Sequence, residues 1–294
     1  MARLDITSDP FLPGRWTVRS DNPSALAATP DAPPRARSGA LLGDALLCYL
    51  SGDVASILAR TDEIVTAADD DADGVLPLAL VLRGFARVLV GHTDPDGEIA
   101  RDLARGLELA QASGIEWVQA EIAMTLGQFS RVAGDLDGAL EHLARAEQLA
   151  TRLGHTWAHS SVLWMRAKVL TDAGRPDEAL ADLWRMLDLT HREGDATGTL
   201  AGLLAAVGGA TAAGAPRTGA VLLGAVHANA RRVGYDPLRM DPVDGRRYVA
   251  ATEAALSADE LVAGQAEGAA LDLGGACALV GPLAEEARSA AAAR

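Results

Sequence analysis

Two histidines raise the first question of chemistry. His155 and His159 stand four residues apart, a spacing that puts both imidazoles on one helix face, where they could share a metal ion. The hydrolytic form of that pair carries a glutamate directly after the first histidine. Here Thr156 follows, and no third ligand stands nearby in the chain. The acidic run from Asp69 to Gly74 begins like a calcium loop. Such a loop needs a bidentate carboxylate at its twelfth position, which is Leu80 here, with Pro77 intervening. Neither cluster is read as a metal site, and no cofactor is expected. No Ser–His–Asp or Cys–His set emerges from the spacing, so no catalytic residue is assigned. An enzyme is the third of three readings, after two binding roles.

The spacing that carries more is a pair of stripes. Trp117, Glu121, Met124, Gln128 and Arg131 form one; Trp157, Ser161, Trp164, Lys168 and Thr171 form the next. Steps of four, three, four and three keep each set on one side of a helix. Tryptophan, methionine and arginine are enriched where proteins bind partners. The same tryptophans would equally fill the space between helices, and both uses stay open.

The stripes must be positioned by a repeating scaffold. Glycines stand at 74, 114, 154, 194 and 234, every interval being 40 residues. A second series, Gly134, Gly174 and Gly214, lies midway, and Leu103, Leu143, Leu183 and Leu223 keep the same period. A fixed period of this length is the signature of a stacked array. Between the glycines, apolar residues recur at helical spacing, as in Val118, Ile122, Leu126 and Phe129. Asp135 follows Gly134 and can cap a helix; Pro176 and Pro216 follow glycines where a helix can begin. Each unit therefore reads as helix, tight turn, helix, glycine stop. A weaker unit precedes at Leu41–Ala68. After Gly234 the period fails: Tyr235 to Gly245 reads as a loop, and helices resume near Arg246–Leu256, Ala258–Gly268 and Leu273–Ala292. The expected organisation is an extended or disordered arm over 1–37, about five helical hairpins over 38–234, and a C-terminal helical cap over 235–294.

Composition agrees and excludes. Of 294 residues, 49% are hydrophobic but only 4% aromatic, a balance that favours helix over strand. The net charge of −14 and the lack of a basic run argue against direct nucleic-acid binding, which needs cations to displace the counterions of phosphate. The most apolar helix, near Val75 to Val90, is short and interrupted by Arg83 and Arg87, so no membrane span is expected. Two distant cysteines and an N-terminus without an apolar run fit a reduced, cytoplasmic setting.

At specific positions the units resemble the tetratricopeptide repeat. Leu126-Gly127, Gly134, Ala139, Leu143 and Ala146 match its alternation of small and large residues, and Ala167, Leu170, Gly174, Pro176, Ala179 and Leu183 repeat it. The last third, with Ala220-Val221-Leu222-Leu223-Gly224-Ala225, Tyr248, Glu253-Ala254-Ala255-Leu256 and Glu267 to Leu273, is similar to the C-terminal helical region of bacterial regulators of the SARP and LuxR/ATPase types. Gln265 stands near that family's usual Trp, and Gly274-Gly275-Ala276 replaces the acidic start of its last helix. The resemblance implies an all-α, right-handed solenoid of tetratricopeptide-like hairpins. In that fold first helices line a concave groove, which would hold both stripes. It implies a regulatory module that binds a protein or peptide segment, or alternatively senses a small-molecule effector. Oligomerisation is possible. Neither the phosphate loop nor the basic recognition helix of those regulators is present.

Overall fold

The computed structural model describes residues 5–8, 16–19, 34–67, 75–92, 94 and 97–293. The Asp69–Gly74 loop and most of the 1–37 arm lie outside these. The arm contributes a short antiparallel pair, β1 (Asp5–Ser8) with β2 (Trp16–Arg19), in the register Asp5 to Arg19. The rest of the described chain is an all-α helical solenoid.

Five consecutive hairpins are described: α1 (Pro34–Ser51) with α2 (Val54–Ala67), α3 (Val75–Leu89) with α4 (Glu98–Ala112), α5 (Glu116–Val132) with α6 (Leu136–Leu153), α7 (Thr156–Asp172) with α8 (Pro176–Glu193), and α9 (Ala196–Ala212) with α10 (Pro216–Val233). Each helix packs on the next. The first helices also touch one another in the order α1, α3, α5, α7, α9, forming one continuous inner layer.

The period has a local cause. The ladder glycines from Gly114 to Gly234 all have positive φ, from 62° at Gly154 to 86° at Gly134. Side chains rarely adopt that backbone, so a glycine stops each helix at a fixed length. Asp135 and Asp195 then cap the following helices, accepting from Gly138 N at 2.9 Å and Gly198 N at 2.8 Å. The leucine series has a packing cause. Leu103 lies on Gly84, and Leu143 on Gly127, where a Cβ would come within 2.7 Å of the leucine Cγ. Small residues on first helices receive leucines from second helices, each worth about 1.5–3 kcal/mol when fully buried. The helices α7 and α9 are buried on almost every side, because hairpins flank them and the cap covers them.

The cap is α11 (Pro237–Met240), α12 (Pro242–Ala254), α13 (Ala258–Ala269), α14 (Leu273–Ala278) and α15 (Val280–Ala292). The stretch expected as a loop from Tyr235 to Gly245 is mostly helical. Pro237 and Pro242 are helix-starting prolines preceded by Asp236 and Asp241, where a missing N–H leaves no bond unmade.

The cap does more than extend the stack. The helix α13 packs on α10, and α15 returns onto α8. The segment 236–252 instead runs as a strap over the inner layer. It meets every hairpin. A Cβ at Gly52 would lie 3.2 Å from the Asp236 carbonyl oxygen, and one at Gly91 would lie 3.3 Å from Val243 Cγ2. Farther along, the strap pairs with Arg131 and Lys168, and the Tyr248 ring fills the space over Gly208. No helix of the described residues is long and apolar enough to cross a membrane.

The α10–α13 contact is glycine-dependent. A Cβ on Gly268 would overlap the Val221 carbonyl, and one on Gly224 would overlap the Gln265 backbone. Gly268→Ala should therefore lower stability by about 1–3 kcal/mol despite alanine's better helix propensity. A fall in the urea unfolding midpoint would show it; an unchanged or higher midpoint would contradict the packing.

Candidate functional site

The two stripes lie on the inner layer, and the strap covers much of them. Lys168 Nζ is bonded to Asp241 Oδ2 at 2.7 Å and Asp244 Oδ2 at 2.6 Å, with its side chain 0% exposed. Arg131 grips Asp244 with two bonds, at 2.8 and 2.7 Å, and donates from Nε to Asp172 at 2.6 Å. Arg247 closes the set, reaching Asp172 at 2.7 Å and Asp244 at 2.9 Å. Three cations thus face three carboxylates. Burial would raise the Asp244 pKa, but Lys168 and Arg131 outweigh it and hold the carboxyl far below its usual range. Arg131 and Lys168, expected to meet a partner, meet an internal one.

Glu121, Met124 and Gln128 are also buried. Burial without a counter-charge pushes the Glu121 carboxyl up to about 8, and its Oε1 has no hydrogen-bond partner. Gln128 Oε1 is likewise unpartnered. Thr171 bonds back to the Ala167 carbonyl at 2.8 Å.

Three of the four remaining stripe residues, all but Trp117, gather at an opening. Trp157, Ser161 and Trp164 line a pocket of about 280 Å³ together with Tyr49 of α1, Met186 and Glu193 of α8, Asp195, Tyr235 just before the strap, and Met240 within it. Aromatic rings continue from it in a row. Tyr49 meets Trp157 edge-on at 6.1 Å and Phe85 at 6.0 Å; His155 stands 6.2 Å from Trp157 and 6.3 Å from Trp117. Such pairs rigidify a wall. Trp157 is 37% exposed, so one ring of the row is offered to solvent.

The two histidines are engaged separately. His155 Nδ1 accepts from Ala158 N at 3.2 Å as the cap of α7, and burial lowers its pKa. His159 instead lies 3.6 Å from Glu147. Among the described residues no group of His, Cys, Asp or Glu is arranged to hold a metal ion. A second cleft, about 330 Å³, lies beside Arg166, Arg175 and Arg288. Its Arg166 is already held by Asp182 at 2.6 Å and Glu147 at 2.5 Å.

Sequence spacing does not reveal Tyr49, Glu193, Asp195, Tyr235 or Met240 as pocket residues. They come from different hairpins and from the aperiodic strap. One signal was present: the chain has only three tyrosines, and Tyr49, Tyr235 and Tyr248 all lie against the inner layer or its strap. No family model matches the chain, and no curated protein matches it.

Two outcomes test these electrostatics. Lys168→Met leaves the buried Asp241 carboxylate without its cation and should cost about 3–5 kcal/mol. Adding Asp241→Leu removes one charge of each sign and should recover most of that loss, as read from urea midpoints. Glu121 has the opposite character. Its folded pKa of about 8 exceeds the ordinary 4.5, so the folded state keeps a proton that the unfolded chain releases. Its contribution is fully present below pH 4.5 and is lost as pH rises through 8. Glu121→Gln should be more stable than the parent by about 1–3 kcal/mol at pH 9, with the difference vanishing near pH 4.5. Melting curves across pH would read this directly.

Proposed function

We propose that this protein is a regulatory binding module, acting in the cytoplasm, whose ligand enters the pocket at Trp157, Ser161 and Trp164. Two versions differ in what enters: an extended protein or peptide segment laid along the groove, or a small-molecule effector. The observation that favours one over the other is the pairing of Arg131 and Lys168 with Asp244 and Asp241 of the same chain. A long segment would have to displace the strap and break these bonds. A small ligand meets a pocket already formed between α1, α7, α8, α9 and the strap. The effector-sensing version is therefore the better supported, and the likeness of the last third to regulator C-termini agrees with it. The reading assigns no catalytic step.

The strap supplies the physical route for a response. Tyr235 and Met240 line the pocket and flank the stretch that leads into Asp241. A ligand touching them acts on the segment that crosses all five hairpins. A bound effector stabilises the folded state by mass action, by about 2.7 kcal/mol when its concentration is 100 times Kd, and so raises the melting temperature. In thermal-shift screening of metabolite mixtures, a stabilising fraction should act on the parent and on Trp184→Ala, whose ring packs on α15 at Gly281, but not on Trp157→Ala. Equal stabilisation of Trp157→Ala would place the ligand elsewhere and overturn the proposal.

A further inference from the structure

The pocket's own chemistry narrows the ligand class. We propose that it selects an organic cation, an alkylammonium or guanidinium group carried by a small free amine or by a lysine or arginine side chain. This rests on the preceding reading of the pocket as the binding site. Four aromatic side chains form its walls: Tyr49, Trp157, Trp164 and Tyr235. Aromatic faces attract cations by about 0.5–2 kcal/mol each, more as water is excluded. One cation of this chain already sits so, with Lys168 Nζ 4.7 Å from the Trp164 ring centroid.

The charge of the lining is one-sided. It contains Glu193 and Asp195 and no Lys, Arg or His. Glu193 makes no ion pair among the described residues, and it is the last residue of α8. The carbonyl end of a helix is already negative, so a carboxylate there is unfavourable by about 0.3–1 kcal/mol. A cation in the pocket would reverse that sign. Arg192, the nearest cation in sequence, is tied to Asp188.

The polar lining is also rich in acceptors. Ser160 Oγ donates to the Trp157 carbonyl at 2.8 Å, which leaves its lone pairs for a donor. An ammonium or guanidinium has only donors to offer. The opposite ligand is disfavoured, because both helix N-termini at the pocket are already capped: His155 Nδ1 accepts from Ala158 N at 3.2 Å, and Asp195 Oδ1 accepts from Gly198 N and from Thr197 Oγ1, both at 2.8 Å. At about 280 Å³ the space is at the small end for ligand sites and fits a single headgroup. The net charge of −14 steers cations towards the protein.

Isothermal titration of the full chain at low salt tests this with four probes: agmatine and cadaverine as free amines, N-acetyl-lysine amide as a side chain in peptide form, and N-acetyl-norleucine amide as its uncharged counterpart. A cationic probe should bind at least about tenfold more tightly than the norleucine compound, a difference of about 1.4 kcal/mol. Whether the free amines or the lysine amide bind better identifies the source. Glu193→Gln and Asp195→Asn should each weaken the cation about fivefold to tenfold, leaving the norleucine compound unchanged. Both variants keep the fold: asparagine caps a helix as well as aspartate, and Glu193→Gln should melt no lower than the parent. Norleucine amide binding as tightly as lysine amide, undiminished cation binding in the double variant, or no cation binding at millimolar concentration would overturn the inference. The pocket reading is judged separately, by whether Trp157→Ala abolishes stabilisation by any ligand that does bind.

Discussion

The structure depends on a buried balance of charge. Arg131, Lys168 and Arg247 face Asp172, Asp241 and Asp244 where the inner layer meets the strap. Removing ions from water is expensive, and attraction offsets the loss only when the geometry is good and every group is bonded. Here Asp244 receives two bonds from Arg131 and a contact from Lys168, all between 2.6 and 2.8 Å. An apolar strap would cover the same helices with less electrostatic risk. What the ions add is position, since few registers of α12 against α5 and α7 satisfy all of them. That register sets Tyr235 and Met240 at the mouth of the pocket.

The pocket is thus a residue of incomplete closure. First helices form one continuous inner layer, the strap covers one part of it, and the space left over is walled by rings. Its lining is acidic and aromatic, while the cations of the same face are consumed in pairing. This division of charge follows from one segment covering Arg131 and Lys168 and leaving Glu193 and Asp195 beside the opening.

How much of this could be read from the sequence depended on whether the cause was local. The ladder glycines were legible because a positive φ at Gly154 or Gly194 is a property of one residue. Helix starts at Pro176 and Pro216 were legible for the same reason. The prolines of the strap misled: Pro237 and Pro242 lie outside the period and read as breakers, yet both begin helices. The stripes were legible as faces but not as surfaces. Periodicity places Lys168 and Trp157 on one side of α7, and nothing local says that one is sealed and the other open. Pairs separated by 73 and 113 residues in the chain decide that.

The strap also alters how the whole array holds together. In a simple repeat protein each unit touches only its neighbours, so the ends fray first and folding can spread from any point. Here one short segment near the C-terminal end meets the turn at Gly52, the stop at Gly91, and the inner helices of the last three hairpins. The first hairpin is therefore coupled to a segment encoded almost at the far end of the chain. An open row of nearly independent units becomes a tied bundle, whose outer hairpins share the cooperativity of the middle, and whose folding must wait for its last contacts to be made.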